Sequence, residues 1–246
     1  MINETLVSVI IPVFNGDCYL DEAIQSVLAQ TYHPMEVIVV DDGSTDGSAN
    51  ILKNYGSAIK YYYQPNLGQA VAMNRGINLA HGDYLAFLDA DDLWTEDKTM
   101  LQINAFKIHP DVDIVAGHIK QFFSPELDEN FTKKIKCVTE LIPGHALKAM
   151  LAKREVFDRI GLFETNWDVG VEMSWQLRAV EAGLNVMMLP ELVCLRRIHE
   201  NNKGITNRHF ITQRAHILKA SLDRRRKNNF DGLRTGNVSK REDREQ

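Results

Sequence analysis

Little in this chain ties it to an oxidising compartment or to a bilayer. It has three cysteines in 246 residues. Cys18, Cys137 and Cys194 lie far apart with no CxxC pair, so neither a disulfide framework nor a thiolate zinc site is expected, and the thiols are read as buried and inert. Long apolar runs are missing: stretches such as Val37-Ile38-Val39-Val40 are far too short to span a membrane. The opening MINETLVSV lacks the basic-then-apolar pattern of a secretory signal, and the expected location is the cytoplasm. A surplus of positive charge is absent as well. The formal net charge is −5, and nine of the 28 Lys and Arg but only five of the 33 Asp and Glu fall after Leu218, so residues 1–218 are strongly acidic. That argues against nucleic acid as a partner. What is present is 44% hydrophobic residues, ample for the core of one large domain.

The apolar residues alternate between two periods. VSVIIPVFN is a continuous β-rich run, after which Leu20, Ala23, Ile24, Val27 and Leu28 recur at helical spacing. MEVIVVDD repeats the strand signal, GSTDGS supplies turn and N-cap residues, and Ile51, Leu52 and Tyr55 give a second helical face before Gly56. A third helix is expected from about Gly68 to Ala80, with Gly82 as a left-handed cap, followed by the strand DYLAFLD. Strands buried on both faces and separated by helices predict an α/β fold, with a mostly parallel, Rossmann-like sheet flanked by helices. Residues 1–218 form the expected domain and residues 219–246 a basic tail, helix fading into disorder. Ile217, Leu218 and Leu222, with Lys219, Arg224, Arg225, Arg226 and Lys227, make a short basic amphipathic helix. It suits either docking on the body or peripheral contact with an anionic membrane.

Asn15, the pair Asp41-Asp42 and the triplet Asp89, Asp91 and Asp92 each stand where a predicted strand ends. That edge is where open α/β sheets form their ligand crevice. In FLDADD three carboxylates crowd together and repel, so a positive charge is expected among them. One reading makes Asp89 a nucleophile toward phosphate, as in phosphatase-like enzymes, although Asp92 and Leu93 follow where Thr or Val is usual.

Four segments, VSVIIPVFNGDCYLDEAIQSVLAQTY, EVIVVDDGSTDGS, NLGQAVAMNRGINLAHGDYLAFLDADD and RRIHENN, resemble in order and spacing the family 2 glycosyltransferases of GT-A fold, over roughly residues 6–203. The resemblance implies an inverting transfer from a nucleoside diphosphate sugar, UDP-linked by analogy, with Mn²⁺ or Mg²⁺ held by Asp91 and His199. The cation would be the charge that FLDADD calls for. Pro12, Val13, Phe14 and Asn15 would floor the base site, and Asp42, with Asp41, would accept the ring N–H. Asp89 and Ala90 would lie near sugar or ribose, and Asn74 and Arg75 would reach the diphosphate or the sugar. Arg196 or Arg197 would neutralise the leaving group, with Arg197 the first choice. The family's base is an Asp six residues before an Arg. Counting back from Arg178 gives Glu172, with Val171 in place of the usual preceding acid and Asp168 as a substitute base. Trp175 is expected in the core and Trp167 against sugar or core. The acceptor is left open among glycan, lipid carrier, protein and peptide. The apolar second half would offer a homodimer surface. The altered base doublet keeps a second reading in view, a nucleotide-sugar-binding subunit without catalysis.

Overall fold

The computed structural model describes residues 5–167, 170–202 and 212–227. In chain order the strands are β1 (Val7–Val13), β2 (Met35–Asp42), β3 (Lys60–Gln64), β4 (Tyr84–Phe87), β5 (Leu93–Trp94), β6 (Ile114–Phe123), β7 (Ile142–Pro143), β8 (Met150–Lys153) and β9 (Val186–Ile198). The helices are α1 (Leu20–Leu28), α2 (Ser48–Asn54), α3 (Gln69–Leu79), α4 (Lys98–Ile108), α5 (Glu129–Lys134), α6 (Glu155–Ile160), α7 (Val171–Glu181) and α8 (212–227). No described helix is long and apolar enough to cross a membrane.

All seven residues of β1 are buried, because helices cover both faces of the strand. Val9 and Ile11 pack with Val37 and Val39 beneath α1, whereas Ile10 packs with Ile38 and Val40 beneath α3. Period-2 alternation thus feeds two cores from one continuous apolar run. The sheet order is β3-β2-β1-β4-β8-β6-β9-β5, with β7 beside β6. Its first four strands are mutually parallel, as the strand–helix alternation implies. Beyond β4 the sheet is mixed: β8 runs antiparallel to both β4 and β6, and β9 returns parallel to β6. The register pairs Val13 with Asp41 and Ile10 with Phe87, so the chain leaves β1, β2 and β4 along one edge.

Gly82 does not cap α3 in a left-handed conformation. The helix ends at Leu79 with Ala80 extended, and Gly82 is absent from the glycines of positive φ. The position needs glycine for space: an added Cβ would lie 2.6 Å from the Leu6 carbonyl oxygen and 2.7 Å from the Ser8 nitrogen, both backbone atoms that cannot turn away. Gly82→Ala is therefore expected to lower stability by about 2 kcal/mol, read as a fall of roughly 4–8 °C in melting temperature. An unchanged Tm would show that the approach is not tight.

Helix α8 docks on the helix that carries Glu172. Ile217 is buried, with its Cδ1 where a Gly170 side chain would begin, and Glu181 at the far end of α7 accepts from Ser221 and from Arg224 Nε (2.7 Å) and Nη2 (3.2 Å). Leu218 and Leu222 stay exposed. Asp168 and residues 228–246 of the expected tail lie outside the described residues. The cysteines divide: Cys194 is buried and Cys137 half-buried, but Cys18 is exposed, against the expectation of three buried thiols. A hydrogen bond to Asp17 pushes the Cys18 thiol pKa up, so it is no activated thiolate.

Candidate active site

Just beyond β1, Asn15 adopts φ +53°, a left-handed conformation that Asn tolerates better than most side chains. Its backbone N–H donates to Ser44 Oγ (3.0 Å) and its Oδ1 accepts from the Thr45 N–H (2.8 Å), tying the β1 and β2 exits together. Asp42 lines the cleft between them, and its oxygens accept from Gln64 Nε2 and the N–H groups of Leu67 and Gly68 at 2.8–2.9 Å. It shapes the loop leading into α3. Asp41 is fully buried beneath, taken by Ser44 N–H and the Tyr61 hydroxyl, and does not line the cleft.

The cleft is about 650 Å³, and Pro12, Val13, Phe14 and Asn15 form one wall. Asp89, Asp91 and Asp92 form another, with one oxygen of each within 4.8 Å of the others. The positive charge among them comes first from the chain itself. Lys148 Nζ lies 2.6 Å from Asp89 Oδ2 and also bonds Asp92 Oδ2. Asp92, 1% exposed, takes the Arg197 N–H on its other oxygen (2.8 Å). Asp91 faces the opposite way, with Oδ2 2.9 Å from His199 Nε2 and 3.2 Å from Asn202 Nδ2.

Glu172 stands in the first turn of α7. One ammonium therefore serves four acids. Burial alone would lower the Lys148 pKa, but Asp89, Asp92, Glu172 and Asp91 hold it well above the ordinary lysine range. The acids are undercompensated in return. Burial and the Asp89 charge push Glu172 up to about 7 against the pull of Lys148 and the Leu147 N–H. Burial, with Asp91 and Asp89 adding to it against Lys148, lifts Asp92 to about 6. Asp91 is lowered: burial opposes its charge, but the His199 hydrogen bond and the charges of Lys148 and His199 outweigh it.

A carboxylate held ionised beside an imidazole, in an oxygen-rich cluster, is a donor set suited to a hard divalent cation. His199 Nδ1 is buried without a hydrogen-bond partner among the described residues, and the ring packs 4.8 Å from that of Tyr19. The residues at Asp91 and His199 fit a divalent cation.

Three expected donor contacts sit elsewhere. Asn74 makes a reciprocal pair with the Phe163 backbone, Nδ2 to O and N to Oδ1 both at 2.9 Å, clamping α3 to the turn before α7. Arg75 Nη1 donates to the Tyr63 carbonyl (2.8 Å), and its guanidinium lies over the Tyr62 ring, outside the cleft lining. Arg197 is 3% exposed, sandwiched between Tyr19 and Phe122 and paired with Glu22 at 2.6 Å. Arg196 lines the cleft instead, because successive residues of a strand face opposite ways. Trp175 is core, as expected, stacked on Phe157. Trp167, held by Glu164, borders a second hollow of about 220 Å³ that shares Gly68 and Gln69 with the main cleft.

The family described as Glycosyl transferase family 2 matches residues 8–165, which takes in the strand ends at Asn15, Asp42 and Asp89 and also Lys148. The chain belongs to the family 2 glycosyltransferases. An uncharacterized glycosyltransferase of Rickettsia typhi is 38% identical over 173 residues, 65% of this chain and 54% of that protein. A putative teichuronic acid biosynthesis glycosyltransferase of Bacillus subtilis, TuaG, is 43% identical over 104 residues, 41% of each chain. This chain spans about half the length of the Rickettsia relative. Among solved structures, S. aureus TarS with UDP-GlcNAc superposes at TM-score 0.65 and 19% identity, covering 82% of this chain and 61% of that one. The mannosyltransferase PcManGT of Pyrobaculum calidifontis, with GDP-Man and Mn²⁺, gives 0.60 and 23%, covering 82% and 59%. These likenesses show the GT-A fold.

Lys148, Asn202 and Gln69, whose Nε2 reaches Asp89 Oδ1 at 3.2 Å, join the acid cluster without having been singled out as site residues in the sequence, whereas Arg196, the second choice of the two arginines, is the one that lines the cleft. Charge balance demanded a cation among the acids, but nothing local in IPGHALKAML says that its lysine lies beside Asp89.

Proposed function

We propose that this chain transfers a glycosyl group with inversion from a nucleoside diphosphate sugar, a uridine diphosphate sugar first among them, to a hydroxyl of a glycan, lipid carrier, protein or peptide. What supports the reading is the acid cluster, with Lys148 paired to Asp89 and Asp92, His199 paired to Asp91, and Glu172 near enough to feel the Asp89 charge. TarS with UDP-GlcNAc and PcManGT with GDP-Man support the donor class.

Glu172 takes the proton of the acceptor hydroxyl as that oxygen bonds the anomeric carbon. The bond from this carbon to the diphosphate oxygen breaks on the opposite face, and its electron pair leaves with the nucleoside diphosphate. Asp91 and His199 hold the divalent cation, which when bound offsets the charge of the diphosphate. Arg196 supplies a fixed positive charge to the same leaving group. Pro12 to Asn15 floor the base site, and Asp42 keeps the Leu67–Gly68 loop in shape beside it. The hollow beside Trp167 leads toward the Glu172 helix and serves the acceptor. The exposed Leu218 and Leu222, with Lys219, Arg225, Arg226 and Lys227 exposed on the same helix, support peripheral contact with an anionic membrane.

Calorimetry with UDP, GDP, CDP and ADP sugars, with and without Mn²⁺ or Mg²⁺, tests the donor half. Saturable, cation-dependent binding of one nucleotide class is expected. Absence of binding across the panel would overturn the reading.

A further inference from the structure

We infer that Trp94, Lys98 and Gln102 are positioning residues that hold Lys148 in the cleft, where its ammonium offsets the acid wall toward an anionic diphosphate. The last clause rests on the donor class proposed above. Lys148, Ala149 and Met150 present three consecutive backbone carbonyls, and each is taken by a side chain from the segment that follows Asp92. The Lys148 carbonyl accepts from Trp94 Nε1 (2.8 Å), the Ala149 carbonyl from Gln102 Nε2 (2.8 Å) and the Met150 carbonyl from Lys98 Nζ (3.2 Å). The three donors interlock. Lys98 Nζ also donates to Gln102 Oε1 (2.8 Å) and lies 3.9 Å from the centre of the Trp94 ring, while Gln102 Nε2 reaches the Val115 carbonyl on β6 (2.9 Å).

Lys98 is the informative member. It is fully buried, yet no Asp or Glu pairs with it among the described residues. Burying an amine without a counter-ion is costly, and an apolar side chain would cover the same core more cheaply. What the lysine supplies that a leucine does not is a donor to Gln102 and to the Met150 carbonyl. A closed ring results. Asp92 Oδ2 holds the Lys148 ammonium, and Trp94, two residues further on, holds the Lys148 carbonyl. Lys148 is thus gripped at both ends by one short piece of chain, with Asp89 taking the ammonium as well (2.6 Å). A lysine stem is long and flexible, so its charge stays in place only where the backbone beneath it is fixed. Without that charge at the cleft wall, the carboxylates would repel a diphosphate.

Trp94→Phe is the sharpest variant, because it removes the indole N–H and keeps an aromatic face against Lys98. Two measurements test it. Reductive methylation of lysines, read by mass spectrometry, needs no donor. The Lys148 side chain, 11% exposed, is expected to react slowly in the wild type. It should react about 10-fold faster in Trp94→Phe, while Lys98 stays protected in both and reports an intact core. Calorimetry with the nucleotide sugar that the wild type binds is the second measurement. Trp94→Phe and Gln102→Leu are each expected to weaken binding about 10-fold, but by no more than about 2-fold in a Lys148→Met background, where no ammonium is left to misplace. Equal losses in both backgrounds would overturn the inference, leaving the network a prop for the fold alone. A folded Trp94→Phe protein whose Lys148 is as protected as in the wild type would overturn it too. Should the wild type bind no nucleotide sugar, the donor reading falls by itself, and the methylation result still upholds or overturns the hold on Lys148.

Discussion

Glu172→Gln is expected to lower kcat by roughly 10²–10⁴-fold while donor affinity changes little, since a general base contributes about that much to a proton transfer in the transition state. The amide keeps the size of the carboxyl, but it cannot take a proton. In the wild type, with the Glu172 carboxyl pushed up to about 7, turnover should fall as pH drops through neutrality; the variant's residual rate should lose that limb. Stability should move the other way. The folded-state value lies above the ordinary 4.5, so ionised Glu172 costs stability increasingly as pH rises from about 4.5 through about 7. Gln removes that cost, and the variant should melt no lower than wild type at pH 8. A variant that loses activity and also melts lower at pH 8 would point to a structural Glu172. One that keeps its activity would return the search to Asp168 or to an acceptor that brings its own base. The trade of stability for a charged, poorly compensated carboxylate is what a catalytic group produces and a packing residue does not.

The N-terminal half was legible because its cues are local. Apolar runs of period 2 and period 3.6 alternate from Val7 to Phe87, and the acids follow strand ends directly, so the ligand edge could be read before any contact was known. Side-chain direction was not legible. Arg196 and Arg197 are neighbours in sequence, yet the strand sends one into the cleft and the other between Tyr19 and Phe122. Asn74 and Arg75 sit on the right helix, but the turn at Phe163 and the backbone of Tyr63 claim them, partners 89 and 12 residues away. Gly82 was read as a conformational glycine because it follows a helix; its real constraint is the backbone of Leu6 and Ser8, 74 residues back in the case of Ser8. Lys148 shows the limit most sharply. Charge balance predicted a cation among the acids, and only the antiparallel insertion of β8 beside β4 reveals that the chain delivers one 59 residues after Asp89.

Asp91→Asn should abolish the cation-dependent part of donor binding. Asp91 is the acid left over: Lys148 occupies Asp89 and Asp92, whereas Asp91 turns to His199 and Asn202 and is held ionised there. In wild-type protein, donor at about 100 times its Kd with Mn²⁺ stabilises the fold by about 2.7 kcal/mol, which for a chain of this size is a Tm rise of roughly 5–10 °C. Asn offers a neutral oxygen in place of a charged one, and a hard cation loses its principal ligand. The Asn variant should therefore show no more rise with Mn²⁺ than with a chelator. Arg75→Ala is the contrasting case. Its guanidinium is spent on the Tyr63 carbonyl outside the cleft, so this variant should retain the full cation-dependent rise, with at most a lower starting Tm. Were Arg75→Ala to lose the response and Asp91→Asn to keep it, diphosphate binding would have to run along α3 rather than across Asp91 and His199, and the donor would lie in the cleft the other way round.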